Sequence, residues 1–183
     1  EGDVKRITTS DGVYEARTVI ISTGSEYRHL GIDGEERLSG HGVSYCATCD
    51  GFFFKDQDIV VVGGGDSAME EATFLTRFAR SVTVVHRRDE LRASAVMAKR
   101  AQEDPKISFA WNSRVVELDG EDSLTGVTLE DTVTGERRRL EATGLFLAIG
   151  QVPRSELVAE ALELDEAGYI KVEAPSQRTR IPG

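Results

Sequence analysis

Residues 59–92 read IVVVGGGDSAMEEATFLTRFARSVTVVHRRDELR, and this stretch decides the fold. Ile59–Val62 is a short β-branched run, the composition of a strand buried on both faces. It enters Gly63-Gly64-Gly65-Asp66-Ser67-Ala68 directly, which fits G-x-G-x-x-A. Ala68, Met69, Ala72, Leu75 and Ala79 then recur at helical spacing, so a helix follows the glycines. Ser81–Val85 is a second β-branched strand. Strand, glycine turn, helix and strand make a βαβ unit, and the fold class it predicts is α/β with a parallel sheet.

The glycines have separate tasks. Gly63 permits the tight turn, Gly65 lets the backbone approach a pyrophosphate, and the small Ala68 lets helix and strand pack closely. Free N–H groups of the helix start, at Asp66 and Ser67, then face the phosphates along a favourable dipole. A glycine turn alone is weak; the flanking strand, helix and second strand make it specific. The end of the second strand selects the cofactor. A site for the unphosphorylated dinucleotide has an acidic residue there to accept from the ribose 2′-hydroxyl, whereas this chain has His86-Arg87-Arg88 with Arg92 following. Guanidinium groups bind a 2′-phosphate through charge-assisted hydrogen bonds. A solvated basic turn is the bland reading, but these arginines are concentrated in a chain of net charge −10. The cofactor expected is NADP(H).

The same net charge argues against general binding of nucleic acid or anionic membrane. At 39% hydrophobic and 30% charged, the 183 residues have the composition of an ordinary globular chain, with no apolar run long enough to span a bilayer and no signal-peptide pattern. The sequence opens at Glu1 in mid-pattern and closes at Ile181-Pro182-Gly183 without a closing element, so the expectation is an excerpt of a longer protein.

Outside the βαβ unit, Val4–Thr9 and Val13–Ala16 flank Ser10-Asp11-Gly12 as a hairpin. Thr18–Ile21 is a further strand, and residues 25–42 read as a linker or surface segment containing a domain boundary near Tyr27–Leu30. Ala93–Glu103 is a helix, stopped before Pro105, and Ile107–Ala110 extends the sheet. Arg114–Leu118, Thr125–Asp131 and Arg137–Leu140, with turns at Asp119-Gly120 and Thr134-Gly135, predict an antiparallel meander. Leu145–Ile149 is a buried strand that ends in Gly150 beside the nucleotide. Ser155–Leu162 reads as a short helix and Tyr169–Val172 as a strand.

Cys46-Ala47-Thr48-Cys49-Asp50 carries the remaining chemistry. Zinc requires four ligands, and beyond the two cysteines only His29, His41 and His86 are available. Two inert core cysteines are a second reading. A dithiol/disulfide centre is the one favoured, because C-x-x-C beside a βαβ unit is a redox spacing and implies a reducing compartment. Asp50 is then a candidate proton carrier, with a turn or cap residue as its plain alternative. NADPH delivers two electrons as a hydride and a disulfide accepts two, so a flavin between them is the natural intermediary.

Taken together, Cys46-Ala47-Thr48-Cys49-Asp50-Gly51, Gly63–Glu71, His86–Arg92 and Ala148-Ile149-Gly150 resemble bacterial low-molecular-weight thioredoxin reductases, with wording nearest to actinobacterial members. The resemblance covers nearly the whole chain. It implies two Rossmann-like domains, with an NADPH domain at about residues 29–156 carrying the disulfide, inserted into an FAD domain represented by residues 1–28 and 157–183. The FAD motifs at both termini of that family lie outside the 183 residues, so FAD is expected with the complete protein. The resemblance further implies that Cys49 faces the flavin, that Cys46 attacks the disulfide of thioredoxin, and that Asp50 is the acid/base. It places Arg87, Arg88 and Arg92 on the 2′-phosphate, His86 beside the adenosine ribose, Ser67 near the pyrophosphate, Ile149 and Gly150 along the cofactor, and Tyr169 as a contact from the FAD-domain side. A cytoplasmic homodimer that reorients its domains during turnover is expected. Gln151 and Arg154 depart from the His and Asn common in relatives. Two alternatives stand beside this: the flavoprotein component of an alkyl hydroperoxide reductase, and an NADPH-binding module without turnover.

Overall fold

The structure, a computed structural model, describes residues 4–183. The chain gathers into two compact units: one joins the segment up to Glu26 to Gln151–Gly183, and the other is Tyr27–Gly150. In the first, β1 (Lys5–Thr9) and β2 (Gly12–Ala16) form the expected antiparallel hairpin, with Thr9 opposite Gly12. β3 (Ser25–Tyr27) follows, at the passage into the second unit.

The second unit is built on a parallel sheet. Its elements in chain order are β4 (Val43–Ser44), α1 (Ala47–Asp50), β5 (Asp58–Val62), α2 (Asp66–Leu75), β6 (Ser81–Val85), α3 (Ala95–Gln102) and β7 (Ile107–Ala110). An antiparallel meander of β8 (Ser113–Asp119), β9 (Gly126–Asp131) and β10 (Arg137–Glu141) precedes β11 (Gly144–Leu147). The chain then leaves through β12 (Gln151–Pro153), which pairs with β3. The parallel sheet has the order β4-β11-β5-β6-β7, with Ile59 opposite Val82 and Val85 opposite Ala110.

Why the strands are uniformly apolar is clear from the layers. Side chains alternate across a pleated strand. Ile59, Val61, Val82, Val84 and Phe146 join Ala68, Met69, Ala72 and Leu75 of α2 in one core, while Val60, Val62, Val85 and Leu145 join Val115, Val127 and Leu129 of the meander in another. Both faces of the parallel sheet are therefore covered, by helices on one side and the meander on the other. This three-layer arrangement is the α/β fold with an antiparallel addition that the sequence predicted. The meander also carries charge across its three strands: Glu130 of the central β9 binds Arg114 and Arg137, whose exposed guanidiniums keep these pairs near solvent, where they contribute little to stability.

Four expectations are corrected. Thr18–Ile21 forms no strand, and Ile20 stands 91% exposed. Strand propensity is a preference for a half-buried pleated surface, and among the described residues this segment finds no sheet edge to join. Tyr169–Val172 likewise reduces to a single bridge between Leu164 and Ile170. Ser155–Leu162 yields only a 3-10 turn at Glu156–Val158, too short to repay helix nucleation. Residues 25–42 are mostly exposed, as a surface segment, but the linker alternative is corrected: Leu38 is fully buried in the meander-side core, and Leu30 and Ile32 pack against it.

Candidate functional site

The glycine turn and the C-x-x-C turn both lie in the Tyr27–Gly150 unit. Cys46 follows Ser44 and Tyr45 at the end of β4 and caps α1, its sulfur accepting from the Cys49 N–H at 3.2 Å. Cys46 and Cys49 are joined as a disulfide with their Cα atoms 5.3 Å apart. Cys46 is half-buried and Cys49 exposed, followed by Phe52 and Phe53, also exposed. Gly51 and Phe54 hold this turn from beneath: Gly51 lies against Phe74, Leu75 and Phe78, and the Phe54 ring meets Phe146 edge-on. Asp50 is half-buried, and its carboxylate accepts from the Ser44 hydroxyl at 2.7 Å, while the Cys46 N–H donates to that same hydroxyl oxygen at 3.1 Å. Ser44, itself buried, thus ties the candidate acid/base to the backbone of the redox pair. Nothing in the spacing of the motif announced it.

At the other turn, Gly63 has φ of +150°, and a Cβ there would lie 2.4 Å from the Ala148 carbonyl oxygen and 2.7 Å from the Ala68 Cβ. Only glycine permits this closure of β5, β11 and α2. Gly64 has a different reason to be small: a Cβ would fall 2.2 Å from the His86 ring, which lies directly on it. Its carbonyl accepts from the Arg92 and Ala93 N–H groups at 2.7 and 3.1 Å, folding the arginine segment over the turn. Asp66 serves the same closure, accepting from the Ser94 N–H at 2.7 Å. Gly65, the N-cap of α2, is extended and meets nothing within 4 Å of the position a Cβ would take. Beside it Ser67 is exposed.

These residues fit a dinucleotide. The helix start offers free N–H groups over open space at Gly65, the requirement for a pyrophosphate. His86 is 5% exposed and among the described residues its Nε2 has no partner, an orphaned polar atom at the start of the arginine segment. Burial lowers its pKa below the ordinary value, opposed by a hydrogen bond with the Glu90 backbone and helped by the neighbouring charges of Arg92, Arg87 and Arg88. Arg87, Arg88 and Arg92 are exposed, and among the described residues none has an ion-pair partner. Their backbone is fixed nonetheless: Thr132 donates to the Arg87 carbonyl, the Asn112 N–H to that of Arg88, and the Ser113 N–H to that of His86. Ile149 and Gly150 follow β11, with Ile149 against the core and Gly150 at φ +100°. Tyr169 belongs to the other unit, where it bonds Asp165 and its ring is 48% exposed.

Two ionisable clusters escaped the sequence reading. Glu35 is 4% exposed; burial pushes its pKa up, but the Gly31 N–H, Tyr45 and His29 all bond it and hold it below the usual value. Tyr45 is pushed up to about 12 by burial and by Glu35. On α2, Glu71 is raised to about 7 by burial and by the charge of Glu70, and one of its oxygens has no partner. Polar side chains buried by tertiary contacts carry no periodic signal.

A parallel sheet with a glycine turn at one strand end and a disulfide after the edge strand two places away defines a nucleotide-linked redox domain. The profile of the family described as pyridine nucleotide-disulphide oxidoreductase matches residues 1–183, and the chain belongs to that family. Among curated relatives it is 64% identical to a thioredoxin reductase of Streptomyces clavuligerus over all 183 residues, covering 57% of that protein. It is 58% identical to one of Mycolicibacterium smegmatis, covering 59% of it. Among solved structures, Lactococcus lactis thioredoxin reductase superposes with a TM-score of 0.89 at 45% identity, over 100% of this chain and 60% of that one. The chain thus spans somewhat more than half the length of these relatives.

Proposed function

We propose that this chain is the pyridine-nucleotide and disulfide part of a thioredoxin-disulfide reductase. One observation carries the reading: a disulfide between Cys46 and Cys49 lies in the same compact unit as a glycine turn flanked by arginines without ion-pair partners. The backbone at Gly63–Ser67 receives the pyrophosphate of NADPH, His86 the adenosine ribose, and Arg87, Arg88 and Arg92 the 2′-phosphate. Ile149 and Gly150 line the dinucleotide at the end of β11.

FAD bound in the complete protein would supply a two-electron relay between the nucleotide and the disulfide. This chain has one dinucleotide turn, and the arginines beside it suit NADPH, so the flavin is assigned to other parts of the protein. Reduction opens the Cys46–Cys49 bond to two thiols, and Asp50, held by Ser44, is placed to move a proton to or from a thiolate. Cys46 then attacks the disulfide of thioredoxin; the mixed disulfide resolves onto Cys49, leaving reduced thioredoxin and a reformed Cys46–Cys49 bond. The relatives named above support thioredoxin as the partner, and a homodimer in a reducing cytoplasm completes the proposal. No helix among the described residues is long and apolar enough to cross a membrane.

The test is Cys46→Ser in the complete protein. Flavin reduction by NADPH should survive while thioredoxin reduction is lost; retained thioredoxin turnover refutes the assignment.

A further inference from the structure

Trp111 is the only tryptophan in the sequence, and it stands where β7 ends, next to the end of β6. The His86 N–H donates to the Ala110 carbonyl at 3.0 Å, and the Asn112 N–H to that of Arg88 at 3.1 Å, so the residues on both sides of Trp111 are clamped to the arginine segment. Phe109 stacks on the Trp111 ring, with centroids 4.8 Å apart and planes within 6°. His86 meets it edge-on at 6.4 Å. This leaves a rigid, half-buried indole beside the arginines.

The sheet order gives that position a meaning. β4, which leads into Cys46, is one edge of the sheet and β7 is the other, with the glycine turn after β5 between them. A dinucleotide lying across the strand ends directs its redox-active ring toward the disulfide edge and its adenosine toward β6 and β7. The 2′-phosphate sits on the adenosine ribose, so arginines at the end of β6 place the adenine within reach of the next strand end outward. Aromatic rings stack on nucleobases. We propose that the Trp111 indole, backed by Phe109, is the surface against which the adenine of the bound nucleotide packs, making Trp111 a binding residue for the adenosine half. The inference rests on the nucleotide reading given above.

The probe is adenosine 2′,5′-bisphosphate, titrated into the 183-residue chain by calorimetry and by intrinsic fluorescence. Emission from the single tryptophan should change on saturation. Trp111→Ala should weaken binding about tenfold, while Trp111→Phe, which keeps an aromatic face, should stay within about threefold of the parent. Unchanged affinity in Trp111→Ala overturns the inference while leaving the nucleotide site intact. Should that variant not fold, the parent chain decides: unaltered emission at calorimetric saturation overturns the inference. A parent chain that binds neither this probe nor NADPH overturns the nucleotide reading and the inference together.

Discussion

Arg87, Arg88 and Arg92 are exposed side chains on a pinned backbone, and none of them has an ion-pair partner among the described residues. Arg87→Ala combined with Arg88→Ala should weaken NADPH binding by about 10- to 100-fold, two charge-assisted contacts, and leave NADH binding unchanged by calorimetry. Equal loss for both nucleotides would remove the 2′-phosphate role. Glu71 makes a residue-scale prediction of another kind. Its folded pKa of about 7 lies above the usual 4.5, so the folded protein keeps a proton that the unfolded chain releases first. Its contribution is therefore full below about pH 4.5 and is lost as pH rises to about 7. Glu71→Gln cannot ionise and should be more stable than the parent at pH 8, by about 1–2 kcal/mol once solvent screening is discounted, with the difference vanishing near pH 4.5. Urea unfolding at the two pH values checks it; a variant less stable at pH 8 would contradict it.

The disulfide turn is positioned by elements far from it in sequence. α1 has four residues and buries only Ala47 in the helix-side core, so Gly51 against α2 and Phe54 against Phe146 of β11 help to fix its place. Ser44, the last residue of β4, adds the polar link to Asp50. Ser44→Ala in the complete protein should slow thioredoxin reduction about tenfold, the loss of one hydrogen bond to a charged group, while NADPH affinity stays unaltered. Unchanged turnover would make Asp50 independent of Ser44. The arginine segment obeys similar logic, since its shape is set by Gly64, Asp66, Asn112 and Thr132 rather than by its own residues.

At the scale of the molecule, the chain enters the Tyr27–Gly150 unit once and leaves it once, and that unit contains both turns and both layers of core. Expressed alone, residues 27–150 should unfold cooperatively and bind NADPH within about tenfold of the 183-residue chain, as expected of a domain with its own core. Failure to fold would show that the segments up to Glu26 and beyond Gly150 are needed for stability. The βαβ unit, the meander and the identity of the redox pair were legible in the sequence, because buried parallel strands are uniformly apolar, glycine turns are local, and C-x-x-C needs only four consecutive residues. Thr18–Ile21 and Tyr169–Val172 misled for the complementary reason: strand composition states a preference, and only a neighbouring strand can satisfy it. Tertiary structure alone decided that Ser44 holds Asp50, that Gly64 exists for the His86 ring, that Glu35 and Leu38 lie buried in a segment with no periodicity, and that Trp111 stands beside the arginines. Each depends on contact between residues distant along the chain, and such contacts are fixed by packing and hydrogen bonding in three dimensions rather than by any local pattern.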